Sequence, residues 1–151
     1  MRDKRFVAEH RGGPLKKEQH YLLAIWARAC AEHVLYYFGN TVDPRLVNAL
    51  KVANDWPKGK ASVGDARKAS VESHAVAREQ TNPAGIAVAR AIGHAVATPH
   101  MADHSLGGAY YGLRAVEAAG KSVGEERKWQ DEQLPVEIKQ LVLSARANRN
   151  I

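Results

Sequence analysis

An all-α fold is predicted for this chain of 151 residues. Three observations predict it. Prolines stand where helices begin, capping sequences led by serine, aspartate or asparagine precede apolar-periodic segments, and no run alternates apolar and polar residues as a half-buried strand would. Together they predict one compact domain over 1–151 with about six to eight helices packed as helical hairpins. Residues 1–13 read as a basic N-terminal segment and 147–151 as a tail that frays.

The first and longest helix is expected from Pro14 to Phe38, opened by proline after Gly12-Gly13 and closed by Gly39. Leu22, Ile25, Trp26, Ala29, Cys30, His33 and Tyr37 make its apolar stripe, with Arg28 and Glu32 on the other side. Asp43-Pro44 starts the second helix, whose inward face is Leu46, Ala49, Leu50, Ala53 and Trp56, before Pro57 and Gly59 end it. Ser62 and Asp65 form a capping box for a third helix to about Gln80, with Ala66, Ser70, Ser73 and Ala77 on one face. Asn82-Pro83 starts the fourth. From Ala84 to Ala97 only Arg90 and His94 are strongly polar, so this helix is expected to be central. Pro99 either kinks it or lets Thr98 cap a new helix over 100–119 that Gly120 ends. Ser122 and Glu125 form a full capping box for a short helix to about Glu132, and Pro135 opens the last, with Ile138, Leu141, Val142 and Ala145 inward. Residues 62–68 echo 122–128, which common capping chemistry explains better than a duplication does.

Composition narrows the function classes. Hydrophobic residues at 45% and charged residues at 25% are globular values, which argues against disorder. No apolar run approaches the roughly 18 residues that span a bilayer, and the N-terminus lacks the apolar core of a signal peptide. With a single cysteine, Cys30, the expectation is a cytoplasmic protein with no membrane association and no disulfide. The net charge is +6, and it sits at the ends. Residues 1–20 hold six basic and three acidic residues, 139–151 hold three basic and no acidic ones, and the body balances. Nucleic-acid binders concentrate Lys and Arg along one face, so no nucleic-acid partner is expected.

His100 and His104 stand four apart, a spacing that puts two zinc ligands on one helix face, and Asp103 precedes the second as a carboxylate does in inverted zinc-protease motifs. His94, His100, Asp103 and His104 are thus the only metal candidates, with a metal-dependent hydrolase as the alternative function. The other expectation is that His33, His74, His94 and His104 form a buried polar cluster among small residues, with no cofactor. Gly120-Lys121-Ser122 is not a phosphate loop, because Ala115 stands where the motif needs glycine and a helix precedes it. Cys30 with His33 on an apolar stripe reads as a core cysteine, so no catalytic residues are expected. The adjacent pairs Tyr36/Tyr37 and Tyr110/Tyr111 must each point partly outward, and their exposed members are the candidate partner-binding residues.

Six sets of residues stand in order along the chain: Trp26 to Leu35, Asp43-Pro44-Arg45, Ala66 to Ala69, His74 to Arg78, Gly93 to Thr98 with His100 to His104, and Trp129-Gln130 with Leu134-Pro135. Together they resemble a bacterial family of immunity proteins, the immunity-protein-five-like domain of toxin–immunity systems. The resemblance implies a small helical protein that binds and neutralises a cognate protein toxin without catalysis of its own. It carries over no catalytic set. Inhibitors of nucleases are commonly acidic mimics of phosphate, so a chain at +6 is expected to work otherwise.

Overall fold

In the computed structural model, which describes residues 2–151, seven α-helices follow one another with no strand among the described residues. They are α1 (Lys17–His33), α2 (Pro44–Asp55), α3 (Val63–Glu79), α4 (Pro83–Val96), α5 (His104–Ala118), α6 (Val123–Glu132) and α7 (Val136–Arg149). Helix content is 75%, more than twice the globular average, so the all-α prediction holds.

Most helix starts follow from local chemistry. Asp43 accepts from the Arg45 N–H at 2.9 Å and Asn82 from the Ala84 N–H at 3.0 Å, each followed by proline in the first turn. Ser62 and Asp65 complete a reciprocal capping box at 3.0 and 2.9 Å. Ser122 accepts from the Glu125 N–H at 3.2 Å, but the return bond is missing, so the full box expected there is half made.

The first helix is shorter than Pro14–Phe38 at both ends. Leu15 instead exchanges backbone bonds with the N-terminal strap, donating to Val7 O at 3.0 Å and accepting from the Glu9 N–H at 2.9 Å. A side chain on Gly13 would strike the Val7 backbone, which is why this crossing needs glycine. Phe6 and Leu15 are thereby buried, so the described part of the basic segment, 2–13, is tied into the core. At the other end the bulky run Leu35–Phe38 tightens into a 3₁₀ turn. That turn presses Leu35, Tyr37 and Phe38 onto the core and leaves Tyr36 outside.

The α1 stripe also differs from the expected one. Ile25 is 51% exposed, while Leu23, Ala24, Trp26, Ala27, Cys30 and Ala31 are buried. Alanines face inward because α1 lies close against its neighbours: a Cβ on Gly108 of α5 would meet the Ala27 Cβ at 3.4 Å. One face of α1 divides between two cores. Ala27, Ala31 and Val34 join the larger core, made chiefly by α2, α3 and α4. Leu23, Trp26 and Cys30 join a second with Phe6, Leu106, Ile138 and Val142. The central position expected for the fourth helix holds: α4 packs against α1, α2, α3 and α5. At the C-terminus α7 continues through Arg149, and Ile151 turns back, its N–H donating to Arg146 O at 3.0 Å. Ile151 packs on the second core, unlike the frayed tail expected over 147–151.

Candidate functional site

Three histidines from three helices meet beside the larger core. His74 on α3, His94 on α4 and His104 on α5 form a chain of rings with centroids 5.2 and 5.4 Å apart, and Tyr111 stacks on His94 at 5.1 Å. The rings fit because glycine faces them. A Cβ on Gly93 would lie 2.7 Å from His74 Nε2, and one on Gly107 2.7 Å from His94 Nδ1.

Hydrogen bonds fix the protonation of this chain. Arg90 Nη1 lies 2.7 Å from His74 Nδ1 and can only donate, so that nitrogen carries a lone pair. His94 Nδ1 and His104 Nδ1 stand 3.3 Å apart, which requires one to donate and the other to accept. Burial lowers the pKa of all three, with help from neighbouring cations, and His94 is pushed down to about 4. The cluster is neutral at pH 7.

Of the four metal candidates only His94 and His104 come together. Asp103 precedes α5 and lies 3.8 Å from both Arg2 and Arg149, which occupy its carboxylate. His100 lies in the turn between α4 and α5, because that turn continues to Asp103 and the helix starts at His104 instead of residue 100. His100 and His104 therefore do not share a helix face. Among the described residues no group of three or more His, Cys, Asp or Glu is arranged to hold a metal ion.

His33 does not join the other histidines. Its side chain is 40% exposed, bonded through Nδ1 to Glu126 Oε2 at 2.7 Å and stacked on Trp129 at 3.5 Å. One turn earlier Cys30 is fully buried, and burial pushes its thiol far above the usual range, so no thiolate–imidazole pair exists. The tyrosine pairs divide. Tyr36 is 86% exposed and Tyr37 packs on the core. Tyr111 is taken by His94, and Tyr110 lies half-buried with the Arg114 guanidinium 6.0 Å from its ring centre.

Two polar features went unnoticed in the sequence. His20 is buried, with Nε2 at 2.7 Å from Thr98 O and its ring edge-on to Trp56. Its spacing from Leu23, Ala24, Ala27 and Ala31 was the available signal. Gln130 and Arg146 sit in the second core, joined at 2.8 Å from Arg146 Nη2 to Gln130 Oε1. Beside His20, Thr98 Oγ1 is buried and, among the described residues, has no hydrogen-bond partner. Thr98→Val should therefore raise stability by about 1 kcal/mol in urea unfolding; a loss of that size would show that the hydroxyl is paired.

A family model described as Imm-5 like putative immunity protein matches residues 13–137, well over half of the chain. The chain belongs to this immunity-protein family. The family match begins at Gly13, where the strap crosses Val7, and ends inside α7 at Glu137. It therefore contains the histidine cluster, His33 with Glu126, and Tyr36. No curated protein and no solved structure matches the chain.

Proposed function

We propose that this chain is an immunity protein of the bacterial cytoplasm that binds and neutralises a cognate protein toxin and turns over no substrate. The observation that carries this reading is the family match along the helical body. The chemistry of the chain agrees with it. The one cysteine is a buried thiol, the histidine cluster is a neutral ring stack packed against glycine, and Asp103 is held between arginines. No specific observation favours a metal-dependent hydrolase.

The contact surface should cover about 800 Å² per partner and be centred on aromatic or arginine side chains. Tyr36, at 86% exposure, is the outward member of its pair and a contact residue; Tyr110 with Arg114 is a second. Since the chain carries +6, the mechanism is not phosphate mimicry. Co-expression with the product of the adjacent toxin-like gene should restore growth of cells that the product alone arrests. Continued arrest, together with a hydrolase activity of the chain that His100→Ala abolishes, would overturn the proposal.

A further inference from the structure

A cavity of about 330 Å³ opens where the N-terminal strap, the start of α1 and the turn after α2 meet. Trp56 lines it, with the His20 and Tyr21 rings edge-on to the indole at 4.9 Å each. Leu15, Val63 and Pro99 complete a mainly apolar wall. Val63, a β-branched apolar residue, is 39% exposed at the start of α3. The Trp56 indole N–H and the Tyr21 hydroxyl make no hydrogen bond within the described residues and neither is fully buried, so both are open to a partner.

Exposed cations gather in the segments that line the cavity. Lys17 lines it with its ammonium 5.7 Å from the Tyr21 ring centre, Arg11 and Lys16 adjoin the lining residues His10 and Leu15 in the chain, and Lys58 and Lys60 follow Trp56; all five are exposed. The neighbouring acids are largely engaged. Asp55 is paired with Lys51 at 2.8 Å, and Glu9 Oε1 accepts from the Lys17 backbone N–H at 3.1 Å. Among the described residues none of the five cations has an ion-pair partner; the exposed acids of these segments are Glu9, Glu18 and Asp65, the last accepting from the Ser62 N–H at 2.9 Å, so the cations outnumber them.

We propose that this cavity is the anchor site for the toxin: it takes one aromatic or long aliphatic side chain from an acidic segment of that protein. The inference rests on the immunity reading and adds to it a place and a chemistry. Apolar walls desolvate the anchor, the indole N–H and phenol hydroxyl pair with the adjoining backbone, and the five cations meet the acidic flank. Tyr36 lies at the far end of α1, about 20 Å away along the helix axis, so the two positions can be tested separately.

The test measures the affinity of the purified full chain for the product of the adjacent toxin gene, carrying a change that removes its activity. Trp56→Ala should weaken the complex about 30-fold or more. Because that change also removes packing, two surface variants carry the decision. Val63→Glu puts a carboxylate at the cavity mouth, in a helix first turn that favours acids, and should weaken binding about tenfold. Lys17→Glu should weaken it about fivefold at low salt and much less at high salt, whereas Lys17→Arg should bind like the parent. Thermal melts at the parent's temperature confirm that the two surface variants are folded. A complex that forms with unchanged affinity in both overturns the anchor site and leaves the immunity reading standing. No complex even with the parent chain overturns both. Self-association of the parent that Val63→Glu abolishes would assign the cavity to a second copy and overturn the proposal.

Discussion

Gln130→Leu is expected to lower the unfolding free energy by about 3 kcal/mol and the melting temperature by roughly 10 °C. Gln130 is fully buried and every polar group it has is used. Its Nε2 donates to Ala109 O at 3.0 Å, its Oε1 accepts from Arg146 Nη2 at 2.8 Å, and its backbone carbonyl accepts from the Trp26 indole at 2.8 Å. Leucine would fill the space and keep the last bond, yet remove the second bond to the Ala109 carbonyl, which keeps its helical one, and strand one face of a guanidinium that is only 4% exposed. Arg146 would retain Asp131 at 3.3 Å, a long bond from Nε to Ile151 O at 3.5 Å and the face of Trp26 at 5.8 Å. That is too little for a buried cation. The double variant Gln130→Leu/Arg146→Met removes the stranded charge and should regain about 1 kcal/mol or more over the single. Urea denaturation of the three proteins checks this. A single variant within 0.5 kcal/mol of the parent (about the error of such additivity tests) would mean that the network contributes nothing net.

Acid is the second lever. His20, His74, His94 and His104 all have pKa values lowered in the folded protein, with burial the largest cause in each. The lowered value means that the unfolded chain takes up protons first. Stability contributed by these neutral rings is complete above the unfolded histidine value near pH 6.5 and is lost as pH falls toward the folded values. For His94, whose folded value is about 4, the loss by pH 4 is about 2 kcal/mol after allowance for its partial exposure. Arg90 and Arg78 near His74, and Arg2 near His104, act in the same direction, whereas the Asp103 carboxylate opposes it at His104. Unfolding free energies should therefore be level from about pH 8 to 6.5 and fall from there to pH 4. His94→Gln should flatten that fall. A free energy that rises between pH 6.5 and 4.5 would show that the rings gain protons on folding and would refute the neutral cluster.

The fold was largely legible because helix boundaries are local chemistry. Asp43-Pro44, Asn82-Pro83 and Ser62 with Asp65 name their helices, and Gly120 closes one at φ 76°. The errors came where a distant segment decides. Pro14 stands in the right place to start a helix, but backbone pairing of Leu15 with Val7 and Glu9 holds it out. The α1 stripe turned toward Ala24, Ala27 and Ala31 because close helix contact favours alanine over Ile25, which periodicity alone cannot know. The candidate site was half legible. His74, His94 and His104 do converge, and Gly93 and Gly107 were the clue in the sequence. His33 looked equivalent by composition, but its position at the end of α1 delivers it to Glu126 and Trp129. The spacing of His100 and His104 meant a shared face only if a helix held both, and the turn after Pro99 lasts through Asp103. The cavity at Trp56 joins segments far apart in the chain, and nothing local announces it.

An immunity protein of the kind proposed works by stoichiometric binding of a protein, and that is the central claim. Calorimetric titration of the inactive product of the adjacent toxin gene into the purified chain tests that claim most directly. One-to-one saturation at nanomolar concentration, with protection of the active toxin's target at the same ratio, is the predicted result. A titration without saturable binding, or protection achieved far below one equivalent, would contradict it.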